Sequence, residues 1–202
     1  LTWEDCAEIG DGWFHGPSVN DEIVLSRAAA ARVSVVHDGP DVVTFRIATD
    51  LQLPARYDWE HSRRSSDTVR IGIVSLVSLR RGAELLDVET TVENRADDHR
   101  LRLLLPVDVP DAETYLAHHP FDFVERTIRL DPDTQTWSEP EIAEKPFLNA
   151  QAVGRNRRGL AFLAAGGLHE GGVDDDNRRV MHITFLRSFR RTVGTEGERD
   201  GL

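Results

Sequence analysis

Eight charged, imidazole or amide side chains crowd into the eleven residues Val92-Glu93-Asn94-Arg95-Ala96-Asp97-Asp98-His99-Arg100-Leu101-Arg102. Carboxylates there could move a proton, the imidazole could relay one, and the guanidiniums could clamp an anion. Asp98-His99-Arg100 therefore invites reading as an active site. Its setting argues for a corner between strands. Leu86, Val88, Thr90 and Val92 alternate with Asp87, Glu89, Thr91 and Glu93 upstream, and Leu101, Leu103 and Leu105 alternate downstream. Arg100 and Arg102 share a facing parity, so both guanidiniums could lie along one polar face and pair with Asp97, Asp98 or Glu125. Asn94 suits left-handed backbone at the turn. A structural role for Asn94, Asp98, His99, Arg100 and Arg102 is favoured over direct ligand contact.

Other candidate chemistries are weaker. Of the eight histidines, His118-His119 would point to opposite faces of a strand, and His15, His169 and His182 lie on separate segments. No His-x-His, Cys-x-x-Cys or His-Glu-x-x-His spacing occurs, and zinc sites need three or four convergent ligands, so no metal is assigned to this chain. Carboxylate pairs for glycosidic chemistry remain open by count, but Asp174-Asp175-Asp176 reads as an exposed turn. Cys6 reads as an inert thiol, and neither a Gly-x-Ser-x-Gly elbow nor a phosphate loop is present. Trp13, in Gly10-Asp11-Gly12-Trp13-Phe14-His15-Gly16-Pro17, sits in a segment too glycine-rich for a core strand. It could stack on a sugar ring, or anchor its loop.

The elements that must position these groups are short strands. Val43, Phe45 and Ile47 alternate, as do Val69, Ile71 and Ile73; Leu160–Leu163 and Met181, Ile183 and Phe185 add further strands. The segment to Asn20 reads as irregular and the loop Tyr57–Asp67 as charged and exposed. Prolines at 106, 110, 120, 132, 140 and 146 disfavour helices and central strands beyond Pro106. With no convincing amphipathic helix, the pattern predicts an all-β chain with little helix: a large antiparallel β-sandwich. It is read as one domain over 1–202, with a subdivision near Pro106 left open.

With 35 acidic and 24 basic residues the net charge is −11, which argues against nucleic acid or an anionic membrane as partner. No apolar run approaches the ~20 residues of a membrane span. One cysteine fits a reducing, cytoplasmic location. The absent initiator Met and polar, turn-like end read as a domain excised from a longer chain.

Six segments in order resemble the C-terminal β-sandwich region of glycoside hydrolase family 38, the α-mannosidases. Gly10–Pro17 is similar to the family's Gly-Asp-x-Tyr-x-x-x-Pro segment, and Glu93–Arg102 to its Glu-Asn-x-x-x-Asp-His-Arg-Leu-Arg signature. Phe121–Arg126, Trp137–Pro140, Gly159–Phe162 with Gly167–Glu170, and Ile183–Ser188 complete the series. The chain departs from the family at Trp13, where Tyr is usual, and at Glu170-Gly171, where Glu-Tyr is expected. The resemblance implies a supersandwich-like, non-catalytic region that scaffolds an N-terminal catalytic barrel of the same polypeptide. That barrel would carry the nucleophile and a divalent zinc and cleave α-mannosides with retention. The resemblance implies no catalytic residue here, and Trp13 as a stacking contact at the sugar rim of a mannose-containing glycan. Two other functions stay open: an autonomous carbohydrate-binding module, motivated by Trp13, Trp59 and Trp137, and a structural or homo-oligomerisation domain.

Overall fold

The computed structural model describes residues 1–12, 15–137 and 140–191. Over these the chain is an all-β, antiparallel β-sandwich protein whose only helical elements are two 3-10 turns, Ser26–Ala28 and Pro132–Thr136. It divides into two compact units, one formed by Trp3–Arg100 with the segment from Arg187, the other by Leu1–Thr2 with Leu101–Leu186. The division falls between Arg100 and Leu101, upstream of Pro106.

In the first unit β1 (Thr2–Ala7) pairs with β2 (Val24–Leu25). Then β3 (Ala31–Asp38), β4 (Val42–Pro54), β7 (Thr68–Arg80) and β8 (Leu86–Glu93) form an antiparallel meander in that order. Alternation sets its two faces. Leu51 lies opposite Ile71 and Thr49 opposite Ile73, and Leu51, Leu53, Ile71 and Ile73 are buried. The other face is polar, with Asp50 accepting from Arg70 at 2.7 Å and Arg32 at 3.2 Å. Gly82 turns the β7–β8 connection at φ +74°, a conformation that side chains with a Cβ disfavour.

Between β4 and β7 the expected exposed loop contains a small hairpin, β5 (Tyr57–Asp58) with β6 (Arg63–Arg64). Tyr57 and Arg64 are buried, because Arg64 reaches the carboxylate of Asp5 and the carbonyl of Glu22. The first residues also depart from expectation: Thr2–Ala7 is a strand that buries Trp3, Cys6 and Asp5.

The second unit starts in β9 (His99–Pro106). It contains β10 (Thr114–His118), β11 (Phe123–Thr127), β12 (Lys145–Phe147), β13 (Ala150–Arg155), β14 (Arg158–Leu163), β15 (His169–Val173) and β16 (Val180–Ser188). One sheet runs β11-β10-β13-β14, and the strands β12-β15-β16-β9 lie side by side in another. Their shared core includes Tyr115, Ala117, Val153, Phe147, Val173, Met181 and Ile183. Phe147 meets Phe162 edge-on with centroids 6.4 Å apart, a favoured aromatic geometry. The prolines prove compatible with sheet because Pro106 ends β9 and the short strands β10 and β11 fall between prolines. Pro146 itself sits in β12 at the sheet's edge, where its missing N–H costs no ladder bond.

Candidate functional site

The polar corner anticipated around Asp98 is buried and joined to groups far along the chain. The corner turns at Asp98, with φ 53°, rather than at Asn94. Asp and Asn are the side-chain types that best tolerate this conformation. Asn94 instead closes the turn through its side chain, whose Oδ1 accepts from Ala96 N at 3.1 Å. The same oxygen lies 2.9 Å from His99 Nε2, and His99 Nδ1 lies 2.5 Å from Asp5 Oδ2. Asp5 also pairs with Arg64. Thus His99, fully buried, links β1 to the turn, and the charge of Asp5 is compensated inside the fold.

Asp98 makes a second clasp. Arg190 Nε donates to Oδ1 at 2.6 Å and Arg190 Nη2 to Oδ2, a bidentate fork. Tyr57 N and Trp59 Nε1 each donate to Oδ2 at 3.3 Å. The Arg190 and Arg191 guanidiniums lie over the Trp59 ring, 5.6 and 4.6 Å from its centroid. A cleft of ≈ 330 Å³ opens beside this group, with Tyr57, Trp59, Arg63, Asp67 and Arg190 in its walls.

Arg102 finds a partner other than the expected Asp97, Asp98 or Glu125. Arg102 pairs with Glu144 in the second unit, while Asp98 is taken by Arg190 and Glu125 accepts from Thr114. Arg100 is buried at the end of the first unit. Parity along β9 does not name the partner of Arg102, which comes from a segment 42 positions away.

A second buried centre escaped the sequence reading. Glu8 has a fully buried carboxylate. Its Oε1 accepts from Gly10 N at 3.0 Å and Gly16 N at 3.1 Å. Its Oε2 lies 2.8 Å from His15 Nδ1 and accepts from Arg187 Nε at 2.8 Å. Arg187 Nη2 also donates to the carbonyl of Asp11 at 2.7 Å, and Ile9 N to that of Gly16 at 3.0 Å. Burial pushes the Glu8 carboxyl up, but bonds from His15 and Arg187 outweigh it and bring the pKa down to about 2. Both ends of the loop 10–16 are thereby held on one anion. A Cβ on Gly16 would lie 2.5 Å from Gly10 N, so only glycine permits this closure. Trp13, the predicted sugar contact, lies with Phe14 outside the described residues. One signal for this centre does lie in the sequence: Glu8 closely precedes the glycine-rich segment, and Arg187 falls in the last of the six family-like segments.

Among the described residues no three His, Cys, Asp or Glu side chains converge as a metal site. His118 stacks on Phe123 and His119 meets Arg126. No described helix is long and apolar enough to cross a membrane.

The fold is that of a β-sandwich region found within glycoside hydrolase family 38 proteins. An α-mannosidase from Enterococcus faecalis V583 superposes with a TM-score of 0.82 at 22% identity, over 94% of this chain and 22% of that one. A family 38 glycosyl hydrolase protein from Enterococcus faecalis gives 0.79 at 20% identity, over 95% and 23%. In sequence, the chain is 26% identical over 200 residues to a Halalkalibacterium halodurans protein named "Putative mannosylglycerate hydrolase", covering 92% of this chain and 21% of that protein. No family model matches the chain. The resemblance drawn from the six segments is thus met in both sequence and fold, and the chain spans about a fifth of the length of these relatives.

Proposed function

We propose that this chain is a non-catalytic, C-terminal β-sandwich region of a retaining α-mannoside hydrolase. It scaffolds a catalytic barrel elsewhere in the same polypeptide and presents the Gly10–Pro17 loop at the rim of the sugar site. The observation that carries this reading is the Glu8 anchor: a buried carboxylate, two backbone amides and two cationic partners hold together the two ends of the segment whose sequence includes Trp13. So much buried polar structure on a surface loop fits a loop whose position matters to a ligand. The divalent zinc is assigned, as part of this proposal, to that barrel. The reducing cytoplasm is the proposed location, in keeping with the single buried Cys6.

The test uses the full-length polypeptide and an aryl α-mannoside. Trp13→Ala raises KM at least severalfold with intact folding, and the 202-residue chain alone does not hydrolyse the substrate. Hydrolysis by the chain alone, or an unchanged KM in Trp13→Ala, refutes the proposal.

A second reading, an autonomous carbohydrate-binding module, rests on Trp137, which is 63% exposed. Trp59 supports it poorly, being covered by Arg190 and Arg191 and bonded to Asp98. Titration with mannose oligosaccharides by calorimetry separates the two, since only the module binds at millimolar sugar or below.

A further inference from the structure

The meander sheet carries an apolar face that runs on past its own core. Pairing places Val35, Phe45, Val77 and Val88 in one row across the four strands, and Val43, Leu79 and Leu86 in the next. Side chains in such a row share a face, and rows two residues apart share it too. At one end this face is the buried core of Leu51, Ile71 and Ile73. At the other, Val33, Val35 and Leu86 are 62%, 54% and 61% exposed, and Phe45, Leu79 and Val88 are 42%, 49% and 48% exposed. Together they present on the order of 500 Å² of apolar surface, a size at which exposed patches mark interaction sites. The reverse side of the same rows carries Ser34, Arg46, Leu76 and Glu89, then Thr44, Ser78 and Asp87. Over these two rows the apolar residues therefore gather on one side and, Leu76 apart, the polar ones on the other.

The strand edges are not arranged for pairing. Edge strand β3 has a register shift between Val35 and His37, and edge strand β8 carries Asp87, Glu89 and Glu93. It is the face that is open. The relatives point to an occupant, because about four-fifths of each lies outside the region that this chain matches.

Resting on the proposed membership of a longer hydrolase, we infer that the Val35–Phe45–Val77–Val88 face docks on an apolar surface elsewhere in the same polypeptide. The sandwich is thus fixed to the rest of the enzyme through this sheet face, independently of the Gly10–Pro17 loop.

The test is thiol labelling of single-cysteine probes in the full-length polypeptide, with buried Cys6 as a silent background. Val35→Cys and Val88→Cys lie on the apolar face, and Ser34→Cys and Glu89→Cys on the reverse of the same two strands. The apolar-face probes label at least about tenfold more slowly than the controls, at a ratio unchanged by dilution. Equal rates on the two faces overturn the inference. Protection lost on dilution overturns it in favour of a second copy, and a natural gene product with nothing beyond these 202 residues overturns it outright. Equal labelling in an enzyme that still hydrolyses the α-mannoside rejects this interface while leaving the proposed function standing.

Discussion

Replacing Glu8 with Gln keeps the shape of the side chain and removes its charge from between His15 and Arg187. The size of the effect follows from the pKa. A carboxyl displaced from 4.5 to about 2 in the folded chain stabilises it at neutral pH by about 3 kcal/mol, at ~1.4 kcal/mol per unit. Because the folded value is the lower one, the stabilisation is present in full above pH 4.5 and is lost as the pH falls towards 2. Glu8→Gln should therefore unfold about 3 kcal/mol more easily at pH 7, with Tm lower by roughly 6–12 °C for a chain of this size. Urea unfolding followed by tryptophan fluorescence, at pH 7 and at steps down to pH 3, measures both quantities. The gap between wild type and variant narrows as the medium is acidified. A variant within about 0.5 kcal/mol of wild type at pH 7, or a gap that widens in acid, refutes the Glu8 anchor.

Other perturbations test the remaining contacts. Arg190→Ala leaves the Asp98 carboxylate, 1% exposed, without its fork and should cost about 3 kcal/mol or more. Asp98→Asn in the same background adds little further loss, so the double-mutant cycle in urea reads a large coupling, and strict additivity rejects the clasp. Gly16→Ala forces its Cβ into the Gly10 backbone and should destabilise by about 2 kcal/mol, with faster amide exchange at Gly10 and Gly16; normal exchange contradicts the closure. Phe147→Ala opens a cavity in the second unit's core at about 3–5 kcal/mol by denaturant titration.

Much of the architecture was legible along the chain. Alternation locates β4, β7, β8, β9 and β16, because a strand buried on one side must repeat with period two. It does not locate β1, where Thr2-Trp3-Glu4-Asp5 mixes polar with apolar types, since Asp5 goes inside with Arg64 and His99. Nor does it locate β10 to β12 between prolines, where strands of three to five residues carry too little pattern to read. At the corner, spacing identifies Asn94, Asp98 and His99 as a cluster but cannot name Arg190 or Asp5, ninety or so positions away. Glu8 looks like any surface acid until the fold brings Arg187 to it.

The division has one physical cause. Residue order alone determines local periodicity, turn chemistry and the family likeness of six short segments, because these depend on neighbours in the chain. Which charges meet inside depends on backbone paths that return from far away, and there burial makes pairing compulsory. Asp98 finds Arg190, Arg102 finds Glu144 and Glu8 finds Arg187 only once the strands are in place. The open apolar face of the meander belongs to the same category: its alternation is written in the sequence, but only the assembled sheet shows how much of it is left uncovered.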